Sequence, residues 1–187
     1  MTGPAVLWCG SSRGKHTGNG WSFPTAVDRH LRALTVGRSV FHPFGGRARF
    51  GLRGDIDPIV RPDVIADAWL PPFRRDAFDV VILDPPYPNF NLQMQRSLLR
   101  AAGYIARDHV VWFHTVWIRN TGRGRLELER SWLVRVGDSC ACRCLQVFRV
   151  GPAAKEIPEA FFTRGPALKY NRWLAGQQGL GLEAAPS

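Results

Sequence analysis

Phe78-Asp79-Val80-Val81-Ile82-Leu83-Asp84-Pro85-Pro86-Tyr87 is a short apolar run that ends in a carboxylate, two prolines and an aromatic ring. Val, Ile and Leu in a run of this length predict a strand buried on both faces, the kind found inside parallel sheets. In open α/β sheets, ligands bind outside the carboxyl ends of such strands. Pro85 and Pro86 lack the N–H that a ladder needs, and they stiffen the turn that follows. The stretch therefore presents one acceptor carboxylate, backbone carbonyls and one aromatic face. A planar molecule carrying an amino group is the complement of that set.

Similar elements lie on either side. Ser39 to Phe44 reads as a first strand ending at Gly45-Gly46, Phe50 to Ile56 as a second, and Asp63 to Asp67 as a short third. Before them, Trp21 to Leu34 predicts a short helix capped by Thr25, with Val27, His30, Leu31 and Leu34 on one face. After the opening stretch, Met94, Leu98, Leu99 and Ala102 recur at helical spacing within Leu92 to Ala106. His109 to Ile118 is a further apolar strand. Leu126 to Val136 and Cys140 to Val150 form a hairpin around Gly137-Asp138-Ser139. Strands that alternate with helices and close on a hairpin predict an α/β fold with a Rossmann-like, mostly parallel sheet and an antiparallel C-terminal end.

The chain has 187 residues, which suits one domain spanning 1–187 with its core at about 38–150. Residues 9–22 read as a flexible basic loop and 151–187 as a C-terminal extension. Lys and Arg number 25 against 15 Asp and Glu, a net charge of +10 that points to a polyanionic partner, nucleic acid first. No stretch approaches the ~20 apolar residues of a membrane span. Met1-Thr2-Gly3-Pro4 has no signal-peptide character, so a cytoplasmic location is expected. Cys140, Cys142 and Cys144 alternate on the last strand and lack zinc-site spacing, so they read as core residues and no metal is expected.

Acids recur at the strand ends. Phe44-Gly45-Gly46 follows strand one, Asp55 and Asp57 follow strand two, and Asp67 with Ala68 and Trp69 follows strand three. A carboxylate after the second strand suits the hydroxyls of a ribose. Either Asp55 or Asp57 is expected to form a turn before Pro58; Asp55 is the preferred ribose acid.

With this ordered series the chain resembles the class I S-adenosylmethionine-dependent methyltransferases, specifically the amino-methyltransferases of adenine N6 or cytosine N4, in a compact phage or bacterial version. The resemblance covers roughly residues 38 to 150. It implies S-adenosylmethionine as cofactor, held by His42, Pro43, Phe44, Gly45, Gly46, Asp55, Asp67, Ala68 and Asp84. It implies that Asp84, Pro85, Pro86 and Tyr87 are the catalytic motif. Tyr87, Asn89, Phe90 and Lys15 would line the substrate. Adenine N6 is favoured, because the family's cytosine enzymes more often carry Ser in place of Asp84. A base inside a duplex cannot reach such a pocket, so the target is flipped or single-stranded DNA or RNA.

The chain departs from that pattern. His42 stands where the glycine motif usually carries an acid, and Arg47 stands where a third glycine is usual. Only Arg47 to Gly54 separates Gly46 from Asp55, so the first crossover helix is shortened or absent. His42 reads as a strand-end residue satisfied by backbone. His114 and Trp117 read as core or lining, and Lys169, Arg172 and Trp173 as a modest nucleic-acid signal. With no separate recognition domain, target choice falls to the loops at 9–22, 88–93 and 119–125, to a homodimer copy or to a partner subunit. Two other functions fit the same residues: methyl transfer to a small-molecule or protein amide nitrogen, and a catalytically inactive nucleic-acid-binding partner.

Overall fold

The computed structural model describes residues 5–9, 23–85, 92–118, 126–136 and 142–152. Its centre is β5, Phe78–Leu83, the strand predicted from the apolar run. Val80 to Leu83 are buried on both sides, as a parallel-sheet interior requires. On one side β5 pairs in parallel with β2, Val40–His42, which pairs in turn with β3, Leu52–Asp55, and then with β4, Val64–Ile65. On the other side β5 pairs in parallel with β6, Ala106–His114. The hairpin strands β7, Leu126–Val136, and β8, Cys142–Val150, follow, with β8 antiparallel to both β6 and β7. An N-terminal strand β1, Ala5–Cys9, closes the sheet in parallel with β7. The eight strands lie in the order β1-β7-β8-β6-β5-β2-β3-β4.

The sheet is thus the mostly parallel type with an antiparallel hairpin that the sequence predicts, but it is wider. The sheet also takes in β1, and the helix α1, Thr25–Leu34, packs on it. Thr25 does not cap α1. Pro24 holds the N-cap position without a side-chain hydrogen bond, and its carbonyl accepts from Asp28. Proline suits this place because its ring presets φ and an N–H there would have no partner.

The pleat divides the core in two. Val40, Val80, Ile82, Val111 and Phe113 meet Val27 and Leu31 of α1 on one face. Phe41, Val81, Leu83, Val110 and Trp112 meet Leu98, Leu99, Ala102 and Ile105 of α2, Leu92–Ile105, on the other. Of the three alternating cysteines, Cys144 is buried in this second core. Burial pushes its thiol up to about 11, so it acts as a small apolar residue rather than a nucleophile.

Between β2 and β3 there is no helix; residues 43–51 run as tight turns. Between β3 and β4 there is only a 3-10 turn, Pro58–Val60. Parallel neighbours usually need a dozen or more residues of crossover, most often a helix. The two connections here manage with less because β2, β3 and β4 are themselves very short. The chain folds back over β2 at Gly51, whose φ is +72° and whose added Cβ would meet Val40 Cβ at 2.9 Å. Glycine is the residue that tolerates both conditions.

Candidate active site

The carboxyl ends of β6, β5, β2, β3 and β4 form one rim of the sheet. Asp84 follows directly on β5, and its residue is only 3% exposed. Pro85 is buried beside it, so the end of the strand is held stiff. Pro86, Tyr87, Asn89, Phe90 and Lys15 lie outside the described residues, as do the loop at 119–125 and residues 10–22 and 88–91 of the other two recognition loops.

Two histidines end the strands that flank Asp84. His114 ends β6, and the pairing of Leu83 with Trp112 brings it beside the end of β5. Burial, helped by the charge of Arg143, pushes its imidazole down to about 4. Its Nδ1 accepts from the Val116 backbone at 3.0 Å, so the neutral ring carries its proton on Nε2. The turn that follows is clamped from several sides. Trp112 Nε1 donates to the Val116 carbonyl at 3.0 Å, and Cys144 Sγ reaches the carbonyls of His114 and Val116. Gln146 accepts from Ile118 N at 2.8 Å and donates to Ile118 O at 2.9 Å, extending strand-like pairing through a side chain.

His42 ends β2, but not in the way expected. Its ring is 1% exposed and lies on the α1 face, with the Phe50 ring centroid at 4.8 Å and that of Phe23 at 6.0 Å. Neither ring nitrogen has a hydrogen-bond partner among the described residues, so the backbone does not satisfy it. Burial pushes the imidazole down to about 4. The Phe50 backbone, short of hydrogen-bond geometry, and the more distant Asp28 oppose this only in part. At neutral pH the two strands that flank β5 therefore both end in uncharged imidazoles.

The glycine turn serves the protein's own packing. A Cβ on Gly45 would meet Arg53 Cβ at 2.5 Å, so the space opened there belongs to β3. The Gly45 N–H donates to the Gly54 carbonyl at 2.9 Å, and Arg53 Nη1 donates to the Gly46 carbonyl at 3.3 Å. Pro43 is buried, and Phe44 packs edge-on against Trp69 with ring centroids 6.3 Å apart.

The structure separates the two candidate acids after β3. Asp57 caps the 3-10 turn by accepting from Ile59 N at 2.9 Å. Asp55 ends the strand half-buried, and its Oδ1 accepts from Asp57 N at 3.0 Å. Desolvation raises its carboxyl above the usual range, with the charge of Asp57 adding to this and backbone donors of Asp57 and Ile56 opposing it. After β4, Asp67 accepts from Trp69 N at 2.8 Å, while Ala68 and Trp69 are buried against the α2-side core. Among the described residues, no group of three or more His, Cys, Asp or Glu is placed to hold a metal. Among the same residues, no helix is long and apolar enough to cross a membrane.

This arrangement has counterparts among solved structures. A Pyrococcus horikoshii protein proposed to be an RNA methyltransferase superposes with a TM-score of 0.53 at 14% identity, over 70% of this chain and 86% of that one. The 1,6-didemethyltoxoflavin-N1-methyltransferase of Burkholderia thailandensis, crystallised with 1,6-didemethyltoxoflavin and S-adenosylhomocysteine, superposes with a TM-score of 0.51 at 11% identity, over 67% and 77%. The chain has a methyltransferase fold. At these identities the likeness is one of fold alone. No family model and no curated protein matches the sequence.

Sequence reasoning located this rim but missed two of its features. The pairing of Gln146 with Ile118 spans two strands, so no local pattern signals it. The exposed arginines of the 46–51 turn are the second: Arg47 departs from a glycine motif in the sequence, and nothing local marks Arg49.

Proposed function

We propose that the chain is an S-adenosylmethionine-dependent methyltransferase acting on an exocyclic amine of a nucleobase, adenine N6 first, in DNA or RNA. The observation that carries this reading is Asp84. It is a buried carboxylate at the carboxyl end of the central parallel strand of a methyltransferase fold, followed by a rigid proline.

The residues present fit the donor on its ribose side. Asp55 is a carboxylate whose charge is disfavoured by desolvation, and it would gain most from the two hydroxyl donors of a ribose. Asp67 and Ala68 stand beyond it on the next strand end. S-adenosylmethionine, when bound, supplies a methyl group already activated on a sulfonium. The protein's part is orientation and hydrogen bonding. An adenine amine is a weak nucleophile because its lone pair is delocalised into the ring. Asp84 and the Pro85 carbonyl would accept its two N–H groups, drawing the nitrogen towards tetrahedral geometry and freeing the lone pair. Tyr87 would stack on the base.

The test is methyl transfer from labelled cofactor to DNA, RNA, protein and small-molecule pools, with Asp84→Ala as control. Label in nucleic acid that disappears with Asp84→Ala supports the reading. Label confined to protein or small molecules would move the activity to an amide or other amine. Full activity in Asp84→Ala would remove the catalytic assignment.

A further inference from the structure

The turn between β2 and β3 does more than shorten a crossover. Phe50 is its anchor. The Phe50 ring stands edge-on to His42 on the α1 face, and the guanidinium of Arg32 from α1 lies over it at 4.9 Å from the centroid. The turn is tied at its start by Ala48 N donating to the Gly45 carbonyl at 2.8 Å, and at its end by the fold-back at Gly51. Arg47 and Arg49 lie within this pinned segment, and both are exposed. On the neighbouring helix, exposed Arg29 lies one turn before Arg32, so the two share a face. Asp28 holds Arg32 in place at 2.8 Å. One guanidinium thus covers a half-buried ring that itself packs on His42, and three more exposed arginines lie on the same turn and the same helix.

A guanidinium on a fixed turn loses less freedom on binding than one on a free loop, and its planar fork suits a phosphate oxygen pair. Resting on the nucleobase reading above, we propose that residues 46–51 and the outer face of α1 bind the phosphodiester backbone of the nucleic acid whose base is offered to Asp84. The missing crossover helix is what makes room for this. A helix there would cover β2, whereas the short turn leaves Arg47 and Arg49 exposed along it.

The experiment is fluorescence anisotropy of single-stranded 20-nucleotide RNA and DNA probes with the full chain, over a range of salt. Each phosphate contact to a single strand contributes about 0.7 to the slope of log affinity against log salt. The double variant Arg47→Gln/Arg49→Gln is expected to flatten the slope by about 1.4, and Arg29→Gln alone by about 0.7. Arg74→Gln/Arg75→Gln removes the same charge from exposed positions before the amino end of β5 and is expected to leave the slope unchanged. Whichever probe shows the difference identifies the backbone as RNA or DNA.

Equal flattening by both double variants, no flattening by the first, or no binding of either probe would overturn the proposal. Calorimetry with S-adenosylmethionine keeps the two readings apart. A chain that binds the probes through this surface but no cofactor would defeat the proposed function and leave the surface standing. A chain that methylates nucleic acid with its salt slope untouched by the first double variant would do the reverse.

Discussion

The two halves of the strand-end rim are built to different standards. At the β5–β6 end, Asp84 and His114 are buried, and the turn after β6 is clamped by Trp112 of β6 itself and by Cys144 and Gln146 of the neighbouring β8. At the β2–β3–β4 end the strands are short, and the acids Asp57 and Asp67 spend hydrogen bonds on their own turns. The edge strand β4 leaves Ile65 65% exposed. The difference follows from coverage. The first end sits mid-sheet between two cores, where leaving polar groups unpaired is costly. The second lies near a sheet edge with no crossover helix over it. In this fold the Asp84 end of the rim is rigid by burial, and the Asp55–Asp67 end is held mainly by local turns.

That contrast can be broken or sharpened by experiment. The largest effect is expected from Asp84→Ala. Removing a positioned acceptor from the reacting amine should cost at least about 100-fold in methyl transfer, while cofactor affinity measured by calorimetry stays within a few-fold. Equal losses in both would mean that Asp84 belongs to the donor side and that the two halves are one site.

Next comes acid sensitivity. His42 and His114 are held near 4 in the folded chain, against an ordinary value of 6.5 when unfolded. Between these values the unfolded chain binds more protons, so stability is complete above about pH 6.5 and falls as pH drops towards 4. For His42, the more deeply buried, the loss should approach about 3 kcal/mol. Denaturant melts of His42→Phe across that window should show a shallower pH slope than wild type. An unchanged slope would show that His42 is not titrating within the fold.

Gln146→Ala should follow. It leaves the buried N–H and carbonyl of Ile118 without their partner, a cost of about 2 kcal/mol, readable in urea melts. Methyl transfer should fall with it if the clamped turn positions the site. A melt that does not move would mean the turn is held by Trp112 and Cys144 alone. The smallest effect is expected on the locally built side. Asp55→Asn should weaken cofactor binding about tenfold, the cost of roughly one charge-assisted hydrogen bond, with the melt unchanged. A loss as large as that of Asp84→Ala would erase the contrast between the two halves.

Much of the fold was legible in the chain. Phe78 to Leu83 forms the strand its composition predicts, and Leu92 to Ile105 forms the helix its periodicity predicts, even with Gly103 inside it. The hairpin and the absent first crossover helix follow from a few turn residues and a short count between Gly46 and Asp55. Thr25 misled because a threonine before an apolar face resembles a cap, while Pro24 presets the helix start one residue earlier. β1 was overlooked because Ala5 to Cys9 is a brief apolar run without alternation, which becomes a strand only when β7 offers its edge.

Local pattern, then, determined most of the strands, though not β1, and which acids stand near their ends. These follow from burial and backbone chemistry within a few residues of each position. Tertiary structure decided the rest. It turned His42 into a buried neutral ring among aromatics, gave the space beside Gly45 to Arg53, assigned Asp57 to a turn and Asp55 to the strand end, and set Gln146 against Ile118. Each of these depends on which distant segment arrives within a few ångströms, a matter of sheet order and register that no short stretch of this chain encodes by itself.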